Sequence, residues 1–206
     1  MTREERLEKQ KQRLIEMKVP EEDLHEQGYR CIAGIDEVGR GPLAGPVVAG
    51  AVILSPDCEI LYLNDSKKLS EKKRELLYDE IMEKAVATGI GVISPARIDE
   101  INILQATYEA MRMAISNLKV QPSVLLNDAV TIPLVEIPQV PIIKGDAKSV
   151  SIAAASIIAK VTRDHMMVEY EEIYPGYGFA SNKGYGSAQH IAALKELGPT
   201  PIHRRT

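Results

Sequence analysis

The stretch CIAGIDEVGRGPLAGPVVAGAVIL, Cys31 to Leu54, sets two apolar runs on either side of a turn-rich GRGPLAGP. Cys31 to Ile35 and Val47 to Leu54 have the small and β-branched residues of buried strands, and the Gly/Pro segment between them reads as their connection. The stretch therefore predicts two strands joined by a glycine loop, a hairpin that opens a sheet. Downstream, Ser70-Glu71 starts a helix with Leu76, Leu77, Ile81 and Ala85 on one face and Gly89 just past its end. Gly89 to Ser94 reads as a third strand, with Cys58 to Leu63 competing for that place. Ile98, Ile101, Leu104, Tyr108, Met111, Ile115 and Leu118 step by three and four, as a helix requires. The short runs Ser123 to Asn127 and Val140 to Lys144 follow at a spacing that suits parallel strands. Helices from about Ser151 to Ile173 and from Ser187 to Leu197 complete the chain. Upstream, residues 1–27 read as a charged helical lead-in with Leu7, Leu14 and Met17 at helical spacing, closed by Pro20 and Gly28 and peripheral to the rest. The expectation is an α/β chain with one core: a lead-in over residues 1–29 and a domain over 30–206.

Composition limits the function. The chain has 206 residues, 45% hydrophobic and 26% charged, with 14 Gly and 12 Pro, which is the balance of a globular domain. No apolar run approaches a membrane span, and MTREERLEKQKQRL is charged where a signal peptide would be apolar, so the expected place is the cytoplasm, with no membrane partner. Two cysteines, Cys31 and Cys58, make no disulfide framework, and four scattered histidines give no zinc-finger spacing. A net charge of −4 argues against gripping nucleic acid by bulk charge, although Lys67, Lys68, Lys72, Lys73 and Arg74 form a local basic run.

Acidic residues at strand ends are the chemical signal. Gly39-Arg40-Gly41-Pro42-Leu43-Ala44 fits GxGxxA formally, but a dinucleotide fingerprint must open a helix and here a strand follows. No phosphate loop of the GxxxxGK[ST] type and no GxSxG elbow is present. Asp36 and Glu37 follow the run ending at Ile35, Asp128 follows Val124-Leu125-Leu126-Asn127, and Asp146 follows Ile142-Ile143-Lys144-Gly145. One such residue is ordinarily a turn former or a cap; three strand ends sharing the feature would gather negative charge beyond the carboxyl edge of a sheet. Clustered carboxylates need cations, and oxygen ligands without His or Cys select hard ions, Mg²⁺ or Mn²⁺. Neighbouring residues on a regular strand point to opposite faces, so Asp36 and Glu37 both reach one cluster only if the strand ends or bulges there, which Gly39 and Gly41 would allow.

Ala33 to Pro46, AGIDEVGRGPLAGP, closely resembles the opening motif of the bacterial ribonuclease HII family, the type 2 ribonucleases H. Asn64-Asp65-Ser66-Lys67-Lys68-Leu69, Lys144-Gly145-Asp146, the run Ser151 to Asp164 and Gly184-Tyr185-Gly186 with His190 resemble that family in the same order, over about residues 30 to 205. The resemblance implies a ribonuclease H-like fold, a five-stranded mixed sheet flanked by helices with a helical C-terminal part. It implies that Asp36, Glu37, Asp128 and Asp146 are catalytic and hold two divalent ions. It also implies an endonuclease, working as a monomer, that cuts the RNA strand of RNA–DNA hybrids and at ribonucleotides embedded in duplex DNA, leaving 3′-hydroxyl and 5′-phosphate ends. Gly39, Arg40 and Gly41 with Tyr185 would recognise the ribose at the scissile phosphate, and Lys67 would contact backbone phosphate. Tyr170, Tyr174, Tyr177, Phe179 and Tyr185, five of nine aromatics in sixteen residues, suit stacking on sugars or bases. Lys72, Lys73 and Arg74 read as surface, Ala153-Ala154-Ala155-Ser156 as core packing, Asp164 as structural, and His165, His190 and His203 as capping or packing residues. Members of the family usually continue past the segment matching His203-Arg204, whereas this sequence stops at Thr206; the departure bears on substrate affinity and leaves the four carboxylates in place. A same-fold DNA junction nuclease and a non-catalytic hybrid-binding module are the alternatives.

Overall fold

The structure, a computed structural model, describes residues 2–206. Five strands form one mixed sheet: β1 (Ile32–Val38), β2 (Val47–Ile53), β3 (Ala87–Ile93), β4 (Val124–Asp128) and β5 (Gln139–Ile142), in the order β3-β2-β1-β4-β5. β1, β2 and β3 pair antiparallel, and β4 joins β1 and β5 joins β4 in parallel. The expected fold class is the one found. Cys58 to Leu63 is turn and loop, so Ala87–Ile93 alone takes the third place.

The described residues form six α-helices: α1 (Arg3–Glu26), α2 (Glu71–Lys84), α3 (Pro95–Ser116), α4 (Val150–Ile173), α5 (Phe179–Asn182) and α6 (Ala188–Leu197). One face carries α3, whose Ala106, Ala110, Met111 and Ala114 pack with Ala33, Ile35, Ala49 and Ala51 of the strands. The other carries α4, whose Ala153, Ala154, Ala155 and Ile158 pack with Val52, with Leu77 and Ile81 of α2, and with Leu14 and Met17 of α1. The lead-in helix thus contributes to the core, and it runs through Pro20, which removes a single N–H from its ladder. Leu76, expected on the buried face of α2, is 57% exposed, because Leu77 and Ile81 already define that face. Leu104 of α3 is also exposed. The helix changes phase at Asn102 (φ 69°, ψ 163°), whose Oδ1 accepts the backbone N–H groups of Leu104 and Gln105 and restarts the helix, so a single 3.6-residue period does not cross it.

The helices lie on the sheet with almost nothing between backbones. A Cβ at Gly34 of β1 would overlap the Ser151 carbonyl of α4, and one at Gly91 of β3 would overlap the Ala110 carbonyl of α3. Both collisions are with backbone, which cannot swing aside. Gly34→Ala is therefore expected to cost about 3 kcal/mol, at the upper end of overpacking penalties, read as a fall in the urea midpoint; a variant within 0.5 kcal/mol of the parent, roughly the scatter of a neutral surface change, would show that α4 can lift from β1.

Candidate metal centre and nucleic-acid site

β1 and β4 run parallel with Ile35 opposite Asn127, so the next positions, Asp36 and Asp128, stand side by side at the sheet's carboxyl edge. Asp146 arrives from the 3-10 turn Gly145–Ala147 that follows β5. That turn is docked on β4, since the Gly145 N–H donates to Asp128 Oδ1 at 2.8 Å. Asp36, Asp128 and Asp146 each offer a carboxylate oxygen, and the three oxygens lie within 4.8 Å of one another.

Glu37 falls outside this group. β1 pairs regularly with β2 through Val38, with no bulge, so Glu37 projects to the face opposite Asp36. Its carboxylate meets Arg40 at 3.5 Å. It remains within electrostatic reach: the charges of Glu37 and Asp128 each raise the pKa of Asp36, and Asp128 raises that of Glu37.

Burial and mutual repulsion leave the centre starved of positive charge. Asp36 is held well above the usual carboxylate range, first by burial and then by Glu37, against a hydrogen bond from Ser156. Burial also raises Glu37, against Arg40, while burial, Asp65 and Asp128 raise Asp146. Lys67, exposed on the 3-10 turn Ser66–Lys68, pulls both Glu37 and Asp146 the other way through its charge. Ser156 does more than pack: its hydroxyl oxygen lies 3.0 Å from Ser66 Oγ and against Asp36.

Behind the ligands stands a supporting layer that the sequence reading missed. Glu21 of α1 accepts hydrogen bonds from the Ser149 and Ser151 hydroxyls, both at 2.5 Å, and from the Ser151 N–H at 3.0 Å. Ser149 in turn donates its N–H to Gly145 O at 2.8 Å, so α1 braces the turn that carries Asp146. Arg74 is no surface residue: its guanidinium donates to the Ser66 and Leu69 carbonyls and pairs with Asp164, which also accepts from Lys160 at 2.5 Å. Asp164 thereby ties α4 to the turn that presents Lys67.

The glycine loop, residues 39–46, forms the second wall. Gly39 (φ +91°) and Gly45 (φ +89°) adopt the left-handed conformation that glycine tolerates. Arg204 donates to the carbonyls of Gly39, Arg40, Gly45 and Pro46, and the buried Arg163 to those of Ala44, Pro46 and Lys183. Burial, then Arg163, lowers the Arg204 pKa to about 10, which still leaves it charged at neutral pH. The Leu43 N–H donates to Gly184 O at 2.9 Å, and a Cβ at Gly41 would stand 3.7 Å from Tyr185 Cε1, so the Tyr185 ring borders the loop.

The aromatic run does not form one stacking surface. Tyr177 and Phe179 are buried and stacked on each other at 5.2 Å, and Tyr170 and Tyr174 pack beside them. Tyr185, 44% exposed, is the member of the five that faces outward next to the loop. The run of five aromatics in the sequence reflects a small core of its own, in which Tyr177 and Phe179 pack with Ala44, Met167, Ala193 and Ile202.

Residues 33–206 match the family model described as Ribonuclease HII. A ribonuclease HII of Lachnoclostridium phytofermentans is 77% identical over 184 residues, which cover 89% of this chain and 72% of that one. One from Enterococcus faecalis is 60% identical over 97% of this chain and 78% of its own length. Among solved structures, ribonuclease H2 from Pyrococcus horikoshii OT3 superimposes with a TM-score of 0.71 at 30% identity, covering 85% of this chain and 92% of that one.

The electrostatics give a test that needs no substrate. A carboxyl group raised on folding binds its proton more tightly in the folded state, so metal-free stability should fall as pH rises from the ordinary aspartate value of 3.8 through the raised values. Asp36→Asn should flatten that dependence and melt at the parental temperature or above at pH 7. A variant less stable than the parent at pH 7 would mean that the Asp36 charge is already compensated by protein groups.

Proposed function

We infer the reaction of this chain from its family: it belongs to the ribonuclease HII family and is an endonuclease of the ribonuclease H class. We propose that it hydrolyses the RNA strand of RNA–DNA hybrids and cuts at ribonucleotides embedded in duplex DNA, leaving 3′-hydroxyl and 5′-phosphate ends. The observation that carries this reading is the convergence of Asp36, Asp128 and Asp146 beside a glycine loop bordered by an exposed tyrosine.

The donor set fits a hard divalent cation. Its three grouped ligands are carboxylates, and burial and repulsion have left them short of countercharge. Asp36, Asp128 and Asp146 would hold Mn²⁺ or Mg²⁺, with Glu37 the fourth carboxylate of the set, supported by the charge it exerts on Asp36. Two such ions, when bound, supply activation of a water and stabilisation of the departing 3′ oxygen. The chain's own groups do the rest. Lys67 takes a backbone phosphate and sets the register of the duplex over the carboxylates. Gly39, Arg40 and Gly41 offer backbone close enough for a 2′-hydroxyl, and Tyr185 stacks on the sugar beside it.

No described helix is long and apolar enough to cross a membrane. The proposed setting is a cytoplasmic monomer acting in DNA replication and repair.

Incubating the protein with Mn²⁺ and a duplex containing one ribonucleotide should give cleavage there and leave an all-DNA duplex intact. Cutting of all-DNA junctions would favour the junction-nuclease alternative, and retention without cutting the binding module. Asp36→Asn should retain about 1% of the parental rate or less, in line with losing a principal electrostatic group of an active site. Lys67→Ala should weaken hybrid binding and reduce the salt slope by about one; an unchanged slope would return Lys67 to the solvated surface. Tyr185→Ala should lose ~1 to 3 kcal/mol of binding and roughly a hundredfold in rate through misplacement of the phosphate, while Tyr185→Phe stays near the parent. Cleavage by Tyr185→Ala at the parental rate would leave ribose recognition to the loop.

A further inference from the structure

His190 and His203 are buried, 13 residues apart in sequence, and their Nε2 atoms lie 2.9 Å from each other. Their backbone partners set where the ring protons sit. His190 Nδ1 lies 2.8 Å from the Tyr185 carbonyl, which can only accept, so His190 carries its hydrogen on Nδ1. His203 Nδ1 receives the Thr200 backbone N–H at 2.9 Å, which can only donate, so His203 carries its hydrogen on Nε2. Both rings are then neutral, and His203 Nε2–H donates to the bare Nε2 of His190. A third proton is disfavoured, since protonating His190 sets two N–H groups against each other and protonating His203 sets its Nδ1–H against the Thr200 N–H, although the Thr200 hydroxyl also lies 2.9 Å from that nitrogen.

We propose that His190 and His203, each locked in a single neutral tautomer, are positioning residues for Tyr185: they run one directed chain of hydrogen bonds from the Thr200 N–H to the Tyr185 carbonyl. The inference rests on the reading of Tyr185 as the residue that meets the ribose.

The surroundings leave no competing charge. The rings Tyr177 and Phe179 pack against both histidines, and the Tyr177 hydroxyl donates away to Gly198 O. Glu171 accepts from the Gly176 and Phe179 backbone, Arg163 is spent on Ala44, Pro46 and Lys183, and Arg204 on the glycine loop. His203 also pairs as an isolated bridge with Ala44, within that loop. Burial first, and then His190, lower the pKa of His203 below its ordinary 6.5. The unfolded chain would protonate His203 near that value while its folded ring stays neutral, so the His203 contribution to stability is present above pH 6.5 and declines as pH falls below it.

Long-range ¹H–¹⁵N spectra of the full chain at pH 7.5 read the tautomers directly. The expected pattern is Nδ1–H at His190 and Nε2–H at His203; Nε2–H at His190, or a protonated ring at either, overturns the proposal. The functional arm uses a single-ribonucleotide duplex. His190→Leu removes both bonds and should lower kcat by tenfold or more with Mn²⁺ affinity within twofold of the parent. His190→Asn keeps a donor for the Tyr185 carbonyl and should recover to within threefold. A folded His190→Leu at the parental kcat, or an Asn variant no better than Leu, overturns it. Should Tyr185→Ala itself cleave normally, the reading of Tyr185 fails and not the hydrogen-bond chain; impaired Tyr185→Ala with unimpaired His190→Leu sinks the positioning role alone.

Discussion

Backbone lies against backbone where α4 crosses β1, and the site depends on that contact. Gly34 faces the Ser151 peptide and Gly50 of β2 faces the Ala155 carbonyl, so α4 approaches the sheet at a depth set by missing side chains. One β-pleat beyond Gly34, on the same face, is Asp36; one turn beyond Ser151–Ile152 is Ser156. A bulkier residue at either glycine would push the helix out and separate that serine from that carboxylate. The start of α4 is fixed by the same approach, and with it the 3-10 turn that carries Asp146 only three residues before the helix N-cap.

Seating the helix so tightly gathers carboxylates that repel one another. In the metal-free protein this repulsion opposes folding, and the supporting contacts keep it from splaying the strand ends. Gly145 N–H holds Asp128, Glu37 N–H holds Asp36 at 2.7 Å, and Glu21 holds the segment after Asp146 through Ser149 and Ser151. None of these contacts neutralises a carboxylate fully. The cluster is therefore held in place and left electrostatically unsatisfied, which is the condition under which a cation binds into a preorganised site rather than assembling one.

Much of this could be read from the chain. The hairpin, the three acid-bearing strand ends and α3 were legible because they depend on local pattern: apolar runs broken by Gly and Pro, and periodicity of two or 3.6 residues. The period-two rule also predicts that Asp36 and Glu37 point apart, and the glycines that would allow a bulge begin only after β1 has ended regularly at Val38. The illegible parts are long-range. Glu21 meets Ser151 across 130 residues and Arg204 meets Gly45 across 159, and no local pattern marks an acid in a charged helix or an arginine near the chain's end as the partner of a particular backbone. Arg74 and Ser156 were misjudged for the same reason, since a basic run and a small-residue run each have an ordinary local meaning.

Arg204 shows what such a distant partner can contribute. In a planar trans peptide the C=O of one residue and the N–H of the next point in opposite directions. Arg204 draws the carbonyls of Gly39 and Arg40 toward itself, so the N–H groups of Arg40 and Gly41 turn away from it. Gly45 and Pro46 carbonyls, drawn to the same guanidinium, close the loop on its far side. Lysine could not hold this arrangement: its single ammonium is a point donor, whereas the guanidinium is a flat fork with five N–H groups in fixed directions. On the proposed substrate, ribose differs from deoxyribose by one oxygen that accepts hydrogen bonds, and a loop with two outward N–H groups is a receptor for such an oxygen. Its selectivity would then rest on orientation imposed from behind, by a residue that never touches the nucleic acid.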